Sequence, residues 1–243
     1  MLLLGFSSGL PILLVFSTLS VWLVKAGVSR STITMFSWAA LAYSFKFIWS
    51  PVIDNLKIPI KDFGHRKSWL LISQLMIVFS LIFISFTDPS KTLILTAIGS
   101  VLIAFSSASQ DIIIDAYRIE SASQKMQGAL SSMYIAGYRV AMLIAGAGSL
   151  YLASFFGVEV YDANVWKKVY LIMASLMLVG IFTTLSSPEP NVKRKVSNLS
   201  LSDQLRFLIS FILAIIIFIV TYSLLKSPFN NEDPLINFLY ALI

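Results

Sequence analysis

Ser106-Ser107-Ala108-Ser109-Gln110-Asp111-Ile112-Ile113-Ile114-Asp115-Ala116-Tyr117-Arg118 decides the fold of this chain. It closes an apolar run of some twenty residues and turns it into a charged one. Ser107, Asp111 and Asp115 fall at i, i+4 and i+8, so one helix face carries a hydroxyl and two carboxylates. Arg118 follows three residues after Asp115 and is placed to pair with it. The other face is three isoleucines. A soluble core has no use for such a seam at the end of a long apolar run. At the end of a membrane span it marks an interhelical contact or a wet path.

The rest of the composition agrees. Of 243 residues, 57% are apolar and 12% charged, and the mean hydropathy is +0.84. Soluble domains carry about twice that share of charge. No cysteine is present, which excludes disulfide and thiol chemistry. His65 is the single histidine and is read as a loop residue, so no His-based catalytic centre, metal site or cofactor is expected. The net charge of +6 is read as orienting the chain in a bilayer, not as binding nucleic acid.

Runs near 20 apolar residues are long enough to cross a bilayer as helices. They lie at Leu2–Val24, Ile33–Ile53, Trp69–Phe86, Thr92–Ile114, Ala129–Phe156, Val169–Leu185 and Phe207–Leu225, and an eighth begins near Leu235. The expected class is therefore an all-α polytopic membrane protein. Residues 1–186 form a six-span block, 187–204 a hydrophilic linker, and 205–243 one further span and the start of another. Lys25, Arg30, Lys91, Lys167 and Lys168 fall in one set of loops. The other set holds Lys57, Lys61, Arg66, Lys67, Arg118, Lys125, Lys193, Arg194, Lys195 and Arg206. The richer set is expected in the cytoplasm, and the N-terminus with it.

Two cations lie inside apolar runs. Lys46 is about 10 Å from the cytoplasmic end of the second run, and Arg139 about 15 Å into the fifth. Such depth requires a cavity or a carboxylate. If both face one cavity, it suits an anionic solute; the alternative is a structural ion pair. Gly137, Ala141, Ala145 and Ser149 recur at four-residue spacing, a ridge of small residues against which another helix packs or slides. Gly5, Gly9 and Pro11 with Ser7 and Ser8 are expected to break the first helix, either lining a cavity or forming a packing kink. Asp54 closes the second run, and Gly64-His65-Arg66-Lys67 opens the third. With Asp111 and Asp115 they are expected to form a network at the cytoplasmic side, either structural or made and broken during a conformational cycle.

Four stretches carry a family resemblance: Gly5-Phe6-Ser7-Ser8-Gly9-Leu10-Pro11, Phe45-Lys46-Phe47-Ile48-Trp49-Ser50-Pro51, Ser107-Ala108-Ser109-Gln110-Asp111 with Asp115-Ala116, and Gly137-Tyr138-Arg139. Together, over about residues 4–190, they resemble the N-terminal half of AmpG-type muropeptide permeases of the major facilitator superfamily. The resemblance implies proton-coupled import of anhydromuropeptides, anionic sugar-peptides released in peptidoglycan recycling, across a bacterial inner membrane. It assigns Lys46, Arg139, Gln110 and Ser107 to substrate, and Asp54, Arg66, Lys67, Asp111, Asp115 and Arg118 to gating and proton movement. Lys57–Phe63 stretch the gap between Asp54 and Gly64 beyond the family-type loop, which weakens the clasp. A facilitator site needs two six-helix halves, so the expected partners are lipid, protons, the solute and a missing C-terminal half, and the chain reads as truncated. The competing readings are a membrane enzyme such as an acyltransferase, opposed by the lack of a nucleophile–histidine pair, and a non-transporting remnant of a split permease gene.

Overall fold

The computed structural model describes residues 1–56, 64–157 and 161–190, with isolated positions between 202 and 220. Every element among the described residues is helical, and the chain is an all-α polytopic membrane protein. It divides by contact into two units, one of residues 1–53 with 57–193, the other of 54–56 with 194–243. The site lies in the first unit. Most of the linker and of Phe207–Leu225, and the whole of the run from Leu235, lie outside the described residues, as do Lys57–Phe63 and the basic triplet at Lys193.

Among the described residues, five helices are long and apolar enough to cross a membrane: Leu2–Lys25, His65–Ser85, Leu93–Ser121, Gln124–Phe155 and Ala163–Ser186. They are called here the first, third, fourth, fifth and sixth spans. Their polar ends extend past the apolar runs because a helix continues wherever its backbone bonds close. His65 is thus the first residue of the third span and not a loop residue. Asp115 and Arg118 sit on the last turns of a 29-residue helix.

The expected second helix, Ile33–Ile53, is instead a chain of short pieces: Arg30–Phe36, the 3₁₀ turn Ser37–Ala40, Leu41–Ser44, the 3₁₀ turn Lys46–Ile48 and Ser50–Asn55. Pro51 explains the last interruption. It lacks the N–H that would continue the preceding helical ladder, but at the second residue of Ser50–Asn55 that N–H has no intrahelical partner to lose, so a new helix starts there.

The expected break at Gly5, Gly9 and Pro11 is also displaced. Leu2–Val15 runs as one α-helix through all of them, and the kink falls at Phe16, with φ −100° and ψ −85°. The glycines serve close approach. A Cβ at Gly5 or Gly9 would overlap the carbonyl oxygen of Tyr134 or Tyr138, and one at Gly137 would overlap that of Leu2. The first span therefore lies directly on the fifth, along the small-residue ridge, where Ala141, Ala145 and Ser149 are fully buried. Opposite the kink, Ile144–Gly148 of the fifth span is a π-turn, which frees carbonyls. Thr18 Oγ1 donates to Ala145 O at 2.8 Å and meets Ser149 Oγ at 3.0 Å.

The third span packs between the fourth and the sixth. The apolar core has two parts. The larger includes Leu10, Leu14, Trp22, Ile77, Leu81, Ile103, Trp166 and Met173, with Trp22 stacked on Trp166 at 5.7 Å. The smaller includes Leu4, Ile53, Leu70, Ile113, Ile114 and Tyr117. Between these clusters, in each chain segment, lie polar residues: Ser7 and Ser8 between Leu4 and Leu10, Gln74 between Leu70 and Ile77, and Ser107 to Asp111 between Ile103 and Ile113.

Candidate functional site

That polar layer is the candidate site. Buried polar groups persist where they find partners, because an orphan forfeits its hydration. Ser8 Oγ donates to the Asp111 carboxylate and meets Tyr134 OH at 2.7 Å. One residue along each helix, Gln110 Nε2 donates to Ser7 Oγ at 3.2 Å, and Ser7 donates on to Leu4 O. Two successive residues of the first span thus hold two successive residues of the fourth. Across the bundle, Thr184 Oγ1 donates to Gln74 Oε1 at 3.0 Å. Gly180 leaves room here, since a Cβ there would collide with Ser7.

Partners are incomplete at one edge. Ser107 Oγ and Gln110 Oε1 are buried without a hydrogen-bond partner among the described residues, as is Gln74 Nε2. Tyr43 OH faces Ser107 Oγ, and neither closes a bond of good geometry. The segment 30–55 joins the layer through Tyr43, through Lys46, and through Trp49, whose Nε1 donates to Ser109 Oγ at 3.1 Å. Lys46 is half-buried in its 3₁₀ turn and within electrostatic reach of Asp111. Arg139 is exposed on the fifth span, beside half-buried Tyr138, which lies one turn beyond Tyr134.

The network expected to join Asp111 and Asp115 to Arg66 or Lys67 is a correction. Asp111 is turned into the layer toward Ser8, where the close first–fourth contact places a hydroxyl. Asp115 pairs with Arg118 at 3.4 Å, as the i,i+3 spacing requires, and Arg118 also donates to Ser131 Oγ of the fifth span. Arg66 instead binds Glu120, at 2.7 Å and 3.1 Å. Glu189 accepts the backbone N–H groups of Arg66 and Lys67 at 2.9 Å and 3.0 Å, closing the third helix with a negative charge at its positive end. Lys67 Nζ donates to Leu185 O, and Tyr117 OH to Pro188 O. Asp54 lies in the last turn of the helix Ser50–Asn55 and belongs to the second unit.

Sequence reasoning singled out neither Glu120, Glu189, Gln74, Thr184 nor Tyr134. Glu189 carried a weak signal, as an acid between two prolines just beyond a helix end. The others carried none, for their partners are distant in the chain.

The layer can hold a proton on a carboxylate and present the Ser107 hydroxyl, the Gln110 amide and the Lys46 ammonium to a polar solute. It contains no cluster of acids and histidines for a metal among the described residues. The family model of the Major Facilitator Superfamily matches residues 1–238. The anhydromuropeptide permease of Escherichia coli K12 is 38% identical over 191 residues, covering 78% of this chain and 37% of that protein. The protein named AmpG 4 in Rickettsia conorii is 34% identical over 265 residues, covering 99% of this chain and 63% of the relative. The AmpG 4 of Rickettsia felis is 38% identical over 198 residues, covering 81% and 46%. The chain thus spans less than two thirds of the length of these relatives.

Proposed function

Because the chain belongs to the Major Facilitator Superfamily, and is a transporter related to AmpG muropeptide permeases and not an enzyme, we propose that it forms the N-terminal half of a proton-coupled importer of anhydromuropeptides. The observation that carries this is the buried carboxylate of Asp111, hydrogen-bonded to Ser8 of the first span, with cationic Lys46 close by and Arg139 exposed on the neighbouring fifth span. Burying a carboxylate is expensive unless its charge is compensated or neutralised by a proton. A membrane carboxylate whose protonation depends on its surroundings is suited to coupling.

In this reading Lys46 and Arg139 attract the carboxylates of the peptide. Ser107 and Gln110, with their unpaired oxygens, are free to bond the sugar or the peptide amides. The cluster of Arg66, Lys67, Glu120 and Glu189 is the cytoplasmic gate, Asp115 and Arg118 take part in it, and Asp54 keeps the gating role that the resemblance gives it. The membrane is the bacterial inner membrane, with the N-terminus in the cytoplasm. Residues 187–204 are the linker to the second half. That half completes the site. Peptidoglycan recycling is the setting in which the solute arises.

Uptake of radiolabelled anhydromuropeptide by proteoliposomes of the transporter carrying this chain tests the reading. Arg139→Gln and Lys46→Gln should each lower uptake about tenfold or more, the effect of losing one charged contact to the solute, whereas loop Lys91→Gln should not. Equal uptake by wild type and Arg139→Gln at matched expression would overturn the cationic site.

A further inference from the structure

We propose that Tyr134 and Ser8 form the relay by which a proton reaches Asp111. The inference rests on the coupling role given above to Asp111, and it assigns two positioning residues that no spacing in the sequence marks.

Three observations combine. First, Ser8 is 1% exposed and Asp111 is 9% exposed, so the carboxylate has little direct access to water. Second, the Ser8 hydroxyl is shared: it donates to Asp111 Oδ1 and lies 2.7 Å from Tyr134 OH. A serine hydroxyl has one hydrogen. With that hydrogen on Asp111, Tyr134 must be the donor to Ser8, and the chain Tyr134→Ser8→Asp111 has a defined direction. Third, Tyr134 is half-buried, on a fifth-span helix whose adjoining face is open. Its hydroxyl is the outer end of the chain and the carboxylate the inner one.

The proton balance closes. Tyr134 OH takes a proton from hydronium and passes its own to Ser8 Oγ. Ser8 passes its own to Asp111 Oδ1, which changes from carboxylate to acid. Both hydroxyls end neutral, and one water is released. In reverse, the acid donates to Ser8, Ser8 to Tyr134, and Tyr134 to water. No oxidant or second reactant is needed.

Other groups face Asp111 too. The segment 30–55 brings Tyr43 and Lys46, the fifth span Tyr134 and Tyr138, and the fourth its own Asp115. The first span brings only hydroxyls. Of these, Ser8 alone is hydrogen-bonded to the carboxylate, and Tyr134 alone continues the chain.

The test separates net proton-driven uptake from solute exchange, using radiolabelled anhydromuropeptide and proteoliposomes of the complete transporter. Exchange between two solute-loaded faces needs no proton to leave Asp111; net uptake does. Ser8→Ala and Tyr134→Phe should each cut uptake driven by a pH gradient by about a hundredfold, the low end of what a lost proton-transfer partner costs, and flatten its pH profile. Exchange should stay within about twofold. Ser8→Thr, which keeps the hydroxyl, should restore gradient-driven uptake. Gradient-driven uptake unchanged in both variants would overturn the relay. So would a parallel loss of uptake and exchange in both, which marks a packing role. Asp111→Asn distinguishes the two levels. If it retains wild-type gradient dependence, the coupling role of Asp111 fails and the relay with it; if it loses that dependence while Ser8→Ala and Tyr134→Phe keep it, the relay alone fails.

Discussion

Arg66 and Glu120 form a two-pronged ion pair at the end of the fourth span, Nη2 to Oε1 at 2.7 Å and Nε to Oε2 at 3.1 Å, with the side chains only 8% and 16% exposed. Two parallel bonds in a poorly hydrated place fix the third helix on the fourth more firmly than a surface pair could. Removing Arg66 takes both of these bonds from the half-dehydrated Glu120 carboxylate. Arg66→Ala should therefore lower unfolding stability by about 3 kcal/mol, measured by thermal unfolding in detergent. A loss below about 1 kcal/mol is what an exposed pair would give, and it would contradict this description.

The first and fifth spans should be intolerant of side chains at their contact. Gly9→Ala places a Cβ on the Tyr138 carbonyl, and Gly137→Ala places one on the Leu2 carbonyl. Each should cost about 1–3 kcal/mol, as overpacking does. Gly128, in the first turn of the fifth helix, has open space around it. Gly128→Ala should be neutral or gain up to about 1 kcal/mol from helix propensity. The same unfolding measurement ranks all three, and equal effects at Gly9 and Gly128 would refute the contact.

A tether between two loops should respond to pH. Tyr161 OH donates to Asp88 Oδ1 at 2.5 Å. Partial burial alone would raise the Asp88 pKa, but the bonds from Tyr161 and Ser90, with Lys91 nearby, outweigh it and hold the carboxyl below its usual value. Burial and the bond to Asp88 push Tyr161 up to about 12. A depressed carboxyl contributes stability above its unfolded pKa and loses it as pH falls through the folded value. A raised phenol contributes below its unfolded pKa, near 10, and loses it as pH rises through about 12. Tyr161→Phe should thus cost about 1 kcal/mol at neutral pH. The difference from wild type should shrink below about pH 4 and above about pH 12. Unfolding followed across pH checks this; a difference constant with pH would contradict it.

Much of this architecture is legible in the chain itself, for physical reasons. Five apolar runs near a bilayer's thickness became long helices, because a backbone in lipid has few alternatives. The ridge from Gly137 to Ser149 marked a close contact, since small residues at one helical spacing leave a groove. The Asp115–Arg118 pair is local, and spacing alone indicated it. The misreadings at the first span and in the site share one cause. Gly5, Gly9 and Pro11 signal a break when read locally, yet tertiary contact with the fifth span uses the glycines and moves the kink to Phe16. Asp111 was assigned to the wrong neighbours because its partner Ser8 lies 103 residues away. Arg66 likewise finds Glu120 across 54 residues and Glu189 across 123. No single-sequence periodicity reports such pairings.

In the proposed transporter, solute entry is coupled to a proton held at Asp111. The most direct measurement is the external pH of lightly buffered, de-energised vesicles containing the transporter, recorded as anhydromuropeptide is added. Coupled import predicts alkalinisation outside that keeps pace with solute entry in the wild type and is lost in Asp111→Asn. Solute entering the wild-type vesicles with no change in external pH would contradict it.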